Sequence, residues 1–192
     1  MKFSSKEEVR RYVWNILKEK KVCSFPCEGH IPNFLGVEET IKKVLELDEY
    51  KRAKRIFISP DTPQRYLLKH VINDKEVYMA TPRLRRGFCK VEEYYGSLMD
   101  IIKNSKIVGY NIPEIDFALI GSVAVDLKGN RIGKGGGFGD REIRILREKN
   151  PSIIIATNVH DLQVFEDLSY LMEDYDQKIN MIITTKGVFR VL

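Results

Sequence analysis

Alternating helical and strand patterns, an apolar run suited to a strand buried on both faces, and a glycine-rich loop after a strand's carboxyl end together predict an α/β fold. The expected architecture is a three-layer domain with a mostly parallel central sheet. Helices then cover both sheet faces, so the strands read as near-continuous apolar runs, as Ser152 to Thr157 (SIIIAT) does. Ligands of such sheets bind beyond the carboxyl ends of the strands, and the glycine loop, within Leu127 to Leu146, follows the apolar segment Ile115 to Val125. The 192 residues are expected to form a single domain, 1–192, large enough to bury a substantial core.

Taken in order, Ser5 is placed to cap a first helix, and Glu8, three residues on, to complete a capping box. Val9, Tyr12, Val13, Ile16 and Leu17 recur at helical spacing, with Lys6 and Arg10 four apart on the flank of that stripe. Phe25 to Gly36 (FPCEGHIPNFLG) is too rich in Pro, Gly and Asn to be regular. His30 there suits a hydrogen-bonded structural role better than catalysis. Glu38 to Leu47 reads as an amphipathic helix with Ile41, Val44 and Leu45 on one side. The basic run Lys51 to Arg55 (KRAKR) precedes a strand, IFIS. Asp61-Thr62-Pro63 supplies a capping residue and a first-turn proline for a helix to about Ile72, and Val77 to Ala80 is the next strand.

Thr81 to Lys90 (TPRLRRGFCK) raises Arg83, Arg85 and Arg86 on an arch that could clamp a carboxylate or phosphate. A solvated loop is the plainer alternative. A polar helical stretch near Leu98 to Lys103 precedes the strand Ile115 to Val125, which ends in Asp126. Beyond the glycine loop a helix runs through Ile143 and Leu146 to about Lys149. His160-Asp161 follow the Ser152 to Thr157 strand, Tyr175 to Lys178 form a polar approach, and Ile179 to Thr184 with Val188 to Val191 make a hairpin-like end around Lys186-Gly187.

Composition narrows the function classes. An apolar share of 43% with 31% charged residues describes a globular chain. No apolar run reaches the roughly 20 residues of a membrane span, and the charged start lacks the apolar core of a signal peptide. The expected location is the cytoplasm, as a monomer or homodimer. The net charge of +5 invites a nucleic-acid reading, but acids are interleaved outside KRAKR and the aromatics are not spaced as a stacking platform. Three cysteines, an odd number, argue against a disulfide framework. Cys23, Cys27 and His30 lack standard zinc spacing and a fourth ligand, so Cys23 and Cys27 are expected as thiols.

The glycine loop carries the chemistry. Six of the thirteen residues from Gly129 to Arg141 are glycine, which lets backbone N–H groups converge on an anion without steric cost. The helix after it adds the positive end of its dipole. Arg131, Lys134 and Arg141 supply cations, and Asp140 could hold a divalent ion bridging phosphate oxygens. The spacing matches neither the P-loop nor the dinucleotide fingerprint. A flexible turn that binds nothing is the alternative.

Read from Pro113, PEIDFALIGSVAVDLKGNRIGKGGGFGDRE resembles the carboxy-terminal half of the 5-formyltetrahydrofolate cyclo-ligase family, with Asp126, Gly129, Arg131, Gly133, Gly135, Gly137, Asp140 and Arg141 in register with its signature. The resemblance implies the fold shared with the ribose-phosphate isomerase and CoA-transferase group. It also implies an ATP- and Mg2+-dependent cyclisation of 5-formyltetrahydrofolate, or a related formylated pterin, to the 5,10-methenyl form. By the same resemblance Lys6, Arg10, Arg131, Gly133, Lys134, Gly135, Gly136, Gly137, Phe138 and Asp140 would bind nucleotide, with Asp140 also on the metal. Lys134 and Arg141 would be catalytic, and Asp61, Arg83, Arg85 and His160 would face the substrate. Two departures stand out. The signature's paired tyrosines are Phe138 and Gly139 here, and Asp61 replaces a glutamate that contacts the folate. They leave two other readings: a divergent paralogue with a nucleotide site but a non-folate, thiamine-related substrate, or a non-catalytic binder of nucleotide or RNA through KRAKR and the arginine loop.

Overall fold

Apolar periodicity sets the elements, and the computed structural model describes residues 2–191. Helix α1 (Lys6–Glu19) starts at Ser5, whose hydroxyl accepts the Glu8 N–H at 3.1 Å. Only half of the expected capping box forms, because the Glu8 carboxylate accepts from Ser4 instead. Helices α2 (Val37–Glu46) and α3 (Asp48–Arg52) lead to strand β1 (Arg55–Ile58). The single helix expected from Thr62 is two short pieces, α4 (Thr62–Arg65) and α5 (Leu68–Val71). Between them i→i+3 bonds, Leu67 N–H to Gln64 C=O and His70 N–H to Leu67 C=O, tighten the coil.

Strands β2 (Glu76–Ala80) and β3 (Phe88–Val91), helix α6 (Leu98–Lys103) and strand β4 (Lys106–Gly109) follow. The apolar segment expected as one strand is two, β5 (Phe117–Ile120) and β6 (Ala124–Asp126), in different sheets. The chain turns at Gly121, where a Cβ would meet Asp61 Oδ2 at 2.8 Å. Both sheets bury both faces of their strands here, so no change in polarity marks the break. Strand β7 (Arg131–Ile132), helix α7 (Phe138–Lys149) and strands β8 (Ile154–Asn158), β9 (Val164–Phe165), β10 (Met181–Thr184) and β11 (Gly187–Arg190) complete the order.

The large sheet runs β11-β10-β8-β5-β1-β2-β3-β4. Its five central strands, β10 to β2, are parallel, and antiparallel strands complete both edges. Successive residues point to opposite faces. Ile56, Ile58 and Leu119 pack with Ile41, Val44, Leu68 and Ile101 on one side, and Phe57, Ala118 and Ile120 with Ile143 and Leu146 of α7 on the other. This is the predicted architecture of two helical layers around a mostly parallel sheet. Helix α1 packs Val9, Val13 and Leu17 on the small sheet β7-β6-β9. The cysteine expectation is corrected: Cys23 and Cys27 are joined as a disulfide with Cα atoms 6.1 Å apart. A spacing of four in an irregular loop permits that bridge, and an odd total does not exclude a local one. Among the described residues no helix is long and apolar enough to cross a membrane.

Candidate functional site

Beyond the carboxyl ends of β1 and β2 lies a cleft of about 850 Å³. One wall is α1 and the glycine loop, and the opposite wall is Ser59 to Asp61 with Thr81 to Arg83. Residues 133–140 rim it. Gly135 (φ +121°) and Gly137 (φ +74°) adopt left-handed backbone that favours glycine, and Gly137 forms the N-cap of α7. The Arg141 N–H bonds back to Gly137 C=O at 3.2 Å, so the N–H groups of Phe138, Gly139 and Asp140 have no intrahelical acceptor. They stand at the positive end of a twelve-residue helix.

Five cationic side chains line the same space, Lys6, Arg10 and Lys134 on the glycine-loop side with Arg83 and the buried Arg131. Lys6 and Arg10 are one turn apart on α1, as their spacing required. Arg10 Nε donates to Gly133 C=O at 2.7 Å and its Nη1 reaches Glu7 at 3.2 Å, which ties the loop to α1. Lys6 pairs with Asp176 and sits 5.1 Å over the Tyr175 ring. Lys134 Nζ lies 3.7 Å from Asp61 Oδ1.

Arg131, expected among the nucleotide-binding cations, lies deeper than the others. It is buried beneath the loop, with Nε and Nη2 both donating to Gly121 C=O at 2.9 and 2.7 Å. Its Nη2 would lie 2.4 Å from a Cβ at Gly139, so the guanidinium occupies the space that a larger residue there would need. The Asp140 carboxylate accepts the Gln177 N–H at 2.9 Å and faces Arg131 Nη1 at 3.8 Å. Burial pushes its pKa up, against the pull of the Gln177 N–H and Arg131.

Three expected site residues fall outside the cleft lining. Arg141 is exposed on the outer side of α7, its guanidinium 6.0 Å from the Phe138 ring centre. Arg85 points to solvent, because Thr81 clamps the arginine arch: its hydroxyl donates to Gly87 C=O at 2.7 Å and accepts the Arg86 N–H at 3.1 Å. Arg83 alone of the arch reaches the cleft, on left-handed backbone at φ +53°. His160 caps the short turn 161–163, its Nδ1 accepting the Leu162 N–H at 3.0 Å, and its ring packs against Phe34. Burial lowers its pKa.

Other site residues carry no marked signal in the sequence. Tyr175 and Asp176 come from the carboxy-terminal third of the chain to meet Lys6, a contact no local pattern announces. Glu142 is buried on the cleft wall; burial raises its pKa to about 8, with Asp61 pushing the same way and Arg131, Lys134 and Arg141 opposing. An acid on the apolar stripe of α7, four residues before Leu146, was the available clue.

Comparison with known proteins identifies the family and the fold. A model of the 5-formyltetrahydrofolate cyclo-ligase family matches residues 2–185. Proteins called methenyltetrahydrofolate synthase domain-containing protein are similar: 32% identical in Bos taurus over 96% of this chain and 53% of that one, and 30% identical in Homo sapiens over the same shares. The chain thus spans about half the length of those relatives. Among solved structures, 5,10-methenyltetrahydrofolate synthetase of Aquifex aeolicus superposes with a TM-score of 0.67 at 21% identity, covering 97% of this chain and 92% of that one. The Mycoplasma pneumoniae synthetase gives 0.57 at 15% identity, with 93% and 97% covered. At these identities the likeness speaks for the fold.

Proposed function

Because the chain belongs to the 5-formyltetrahydrofolate cyclo-ligase family, we propose that it uses ATP to close a formylated reduced folate, or a closely related pterin, to the 5,10-methenyl form. One observation supports this reading above the others: the open amides at the start of α7 share a cleft with Lys6, Arg10 and Lys134. In the proposed reaction the formyl oxygen attacks the γ-phosphorus and ADP leaves. N10 then attacks the formyl carbon and gives up its proton, and the carbon–oxygen bond breaks so that phosphate departs with the former formyl oxygen. Charge neutralisation and alignment of the phosphates dominate such a transfer. Lys6 and Arg10 hold the phosphate chain from α1, Lys134 approaches the transferred group, and the N–H groups of Phe138 to Asp140 face the charge that develops. Arg83 takes a substrate carboxylate. Arg141 acts indirectly, holding the Phe138 ring. No side-chain nucleophile is required.

Asp140 lines the cleft and would hold a magnesium ion brought in with the nucleotide; among the described residues no group of three or more His, Cys, Asp or Glu could hold a metal by itself, so phosphate oxygens and water would complete its shell. Bound there, the ion would neutralise charge on phosphate oxygens.

The test is incubation with 5-formyltetrahydrofolate, ATP and Mg2+, following ADP release and the methenyl chromophore together. Both signals should require the folate, so its omission is the control. A second reading, a non-folate substrate on the same nucleotide site, is favoured by Gly139 packed on Arg131 and by Asp61 held toward Lys134. It predicts nucleotide binding with a flat chromophore trace. An RNA-binding role through KRAKR is disfavoured, because that run leads into the first residue of β1 while the cleft lies beyond the strand's other end.

The Lys6–Asp176 pair gives a further expected result. Both side chains are largely buried, so the Asp176 charge competes with phosphate for Lys6. Asp176→Asn should tighten ATP binding by roughly threefold to tenfold in low salt, as expected when a nearby anion is removed. Calorimetric titration checks it, and weaker binding would contradict the role given to Lys6.

A further inference from the structure

The Cys23–Cys27 bridge has no part in the chemistry of the cleft, yet it belongs to a segment that forms one of its sides. The Val22 N–H closes the turn after α1 on Leu17 C=O at 3.0 Å, and Cys23 follows directly. Cys27 is buried in the cluster of Val13, Trp14, Leu17 and Ile31. The disulfide therefore fastens an exposed bend, Ser24 to Pro26, to the core beneath α1. Gly29 and Ile31, a few residues on, line the cleft. Their position depends on Cys27: the His30 N–H donates to Cys27 C=O at 3.2 Å, and His30 C=O accepts the Trp14 Nε1–H at 3.0 Å. At the base of the segment the Ser24 N–H donates to Asn33 C=O at 2.9 Å, and the Leu35 N–H to Val22 C=O at 2.8 Å.

Access and loop length both favour exchange at this bridge. Cys23 is only partly buried, and the three residues between the cysteines are exposed, Phe25 almost wholly. An external thiol can therefore reach Cys23 Sγ. A bridge across a sequence separation of four constrains the unfolded chain less than a long-range one, so it adds less stability and opens more readily. Once open, Cys27 remains a small apolar side chain in its pocket. The fold then persists while the bend is released.

We propose that Cys23 and Cys27 form a reversible thiol–disulfide site that sets the order of residues 24–34, and with it the cleft wall at Gly29 and Ile31. In the reducing direction a small thiolate attacks Cys23 Sγ, and the Cys27 sulfur leaves as a thiolate that takes up a proton. A second small thiolate attacks the other sulfur of the mixed disulfide, and Cys23 leaves and is protonated in turn. The protein gains two electrons and two protons, and the small thiol ends as its disulfide. A small disulfide such as oxidised glutathione drives the reverse. The consequence for nucleotide or folate rests on the function proposed above; the exchange itself does not.

The experiment equilibrates the whole protein, without nucleotide or folate, in reduced and in oxidised glutathione buffers. Alkylation with iodoacetamide and peptide mass spectrometry then read each cysteine. Cys23 and Cys27 should be alkylated together in the reduced buffer, protected together in the oxidised one, and should follow the buffer when it is exchanged. Hydrogen–deuterium exchange on the same samples should be faster across residues 24–34 of the reduced protein, on the order of tenfold, the scale set by freeing a short closed loop, and unchanged in β5. Cys23→Ser should show the fast rate in both buffers. A bridge that resists millimolar reduced glutathione overturns the proposal, as does a lasting glutathione adduct in place of the bridge. Equal exchange rates across residues 24–34 in the two states overturn it as well. Should circular dichroism show that Cys23→Ser is not folded, the reduced wild-type protein supplies the comparison.

Discussion

Arg10→Ala is expected to weaken ATP binding by about two orders of magnitude while leaving the fold intact. The side chain has two tasks in the account. Its guanidinium faces the phosphate cleft, and its Nε donates to Gly133 C=O at 2.7 Å, tying the glycine loop to α1. A hydrogen bond involving a charged group contributes roughly 1.5–3 kcal/mol. Losing a phosphate contact and some loop order together comes to about 3 kcal/mol, which is about a hundredfold in affinity. Arg10→Lys should recover only part of this, since an ammonium cannot serve the carbonyl and the phosphate in the same fork geometry. Calorimetry on the three proteins measures the effect. Equal affinities would show that α1 does not take part in the site.

Arg131→Met is expected to cost about 3–5 kcal/mol of folding stability, the range found when one partner of a buried charge cluster is removed. Gly121 C=O would lose two donors at once. Asp140 and Glu142 would lose the cation that opposes their burial, and the floor under Gly133 and Gly139 would lose its packing. Arg131→Lys should lie between the two, keeping charge but not both hydrogen bonds. Urea unfolding of all three provides the comparison. A change under about 1 kcal/mol in Arg131→Met would place the residue among ordinary surface charges, contrary to its role as the support of the loop.

These two arginines also show where the sequence was readable. Arg10 was legible because helical spacing is local: Ser5 marks the start, Val9 and Val13 mark the buried face, and Lys6 and Arg10 must then share an edge. Arg131 was legible as a cation but not as a buried one, because its burial follows from Gly121, ten residues earlier, offering a carbonyl where the chain leaves one sheet for another. That departure was itself hidden in an unbroken apolar run. The glycine loop and the start of α7 were visible from composition, since six glycines in thirteen residues admit few other uses. Asp61 was visible as a cap and is something else, its side chain drawn toward Gly121 and Lys134 by contacts far along the chain. Tyr175 and Asp176 could not be read as partners of Lys6, because only the closed fold brings α1 to the segment before β10.

The central claim is that the backbone amides opening α7 receive a triphosphate. Amide nitrogen–proton correlation spectra of the uniformly labelled protein, recorded while ATP is added, test it most directly. The account predicts large, saturable shifts at Gly135 to Asp140, with smaller ones at Gly133 and none along KRAKR. Spectra in which those loop amides stay unmoved at millimolar ATP, or in which only the basic run responds, would contradict it.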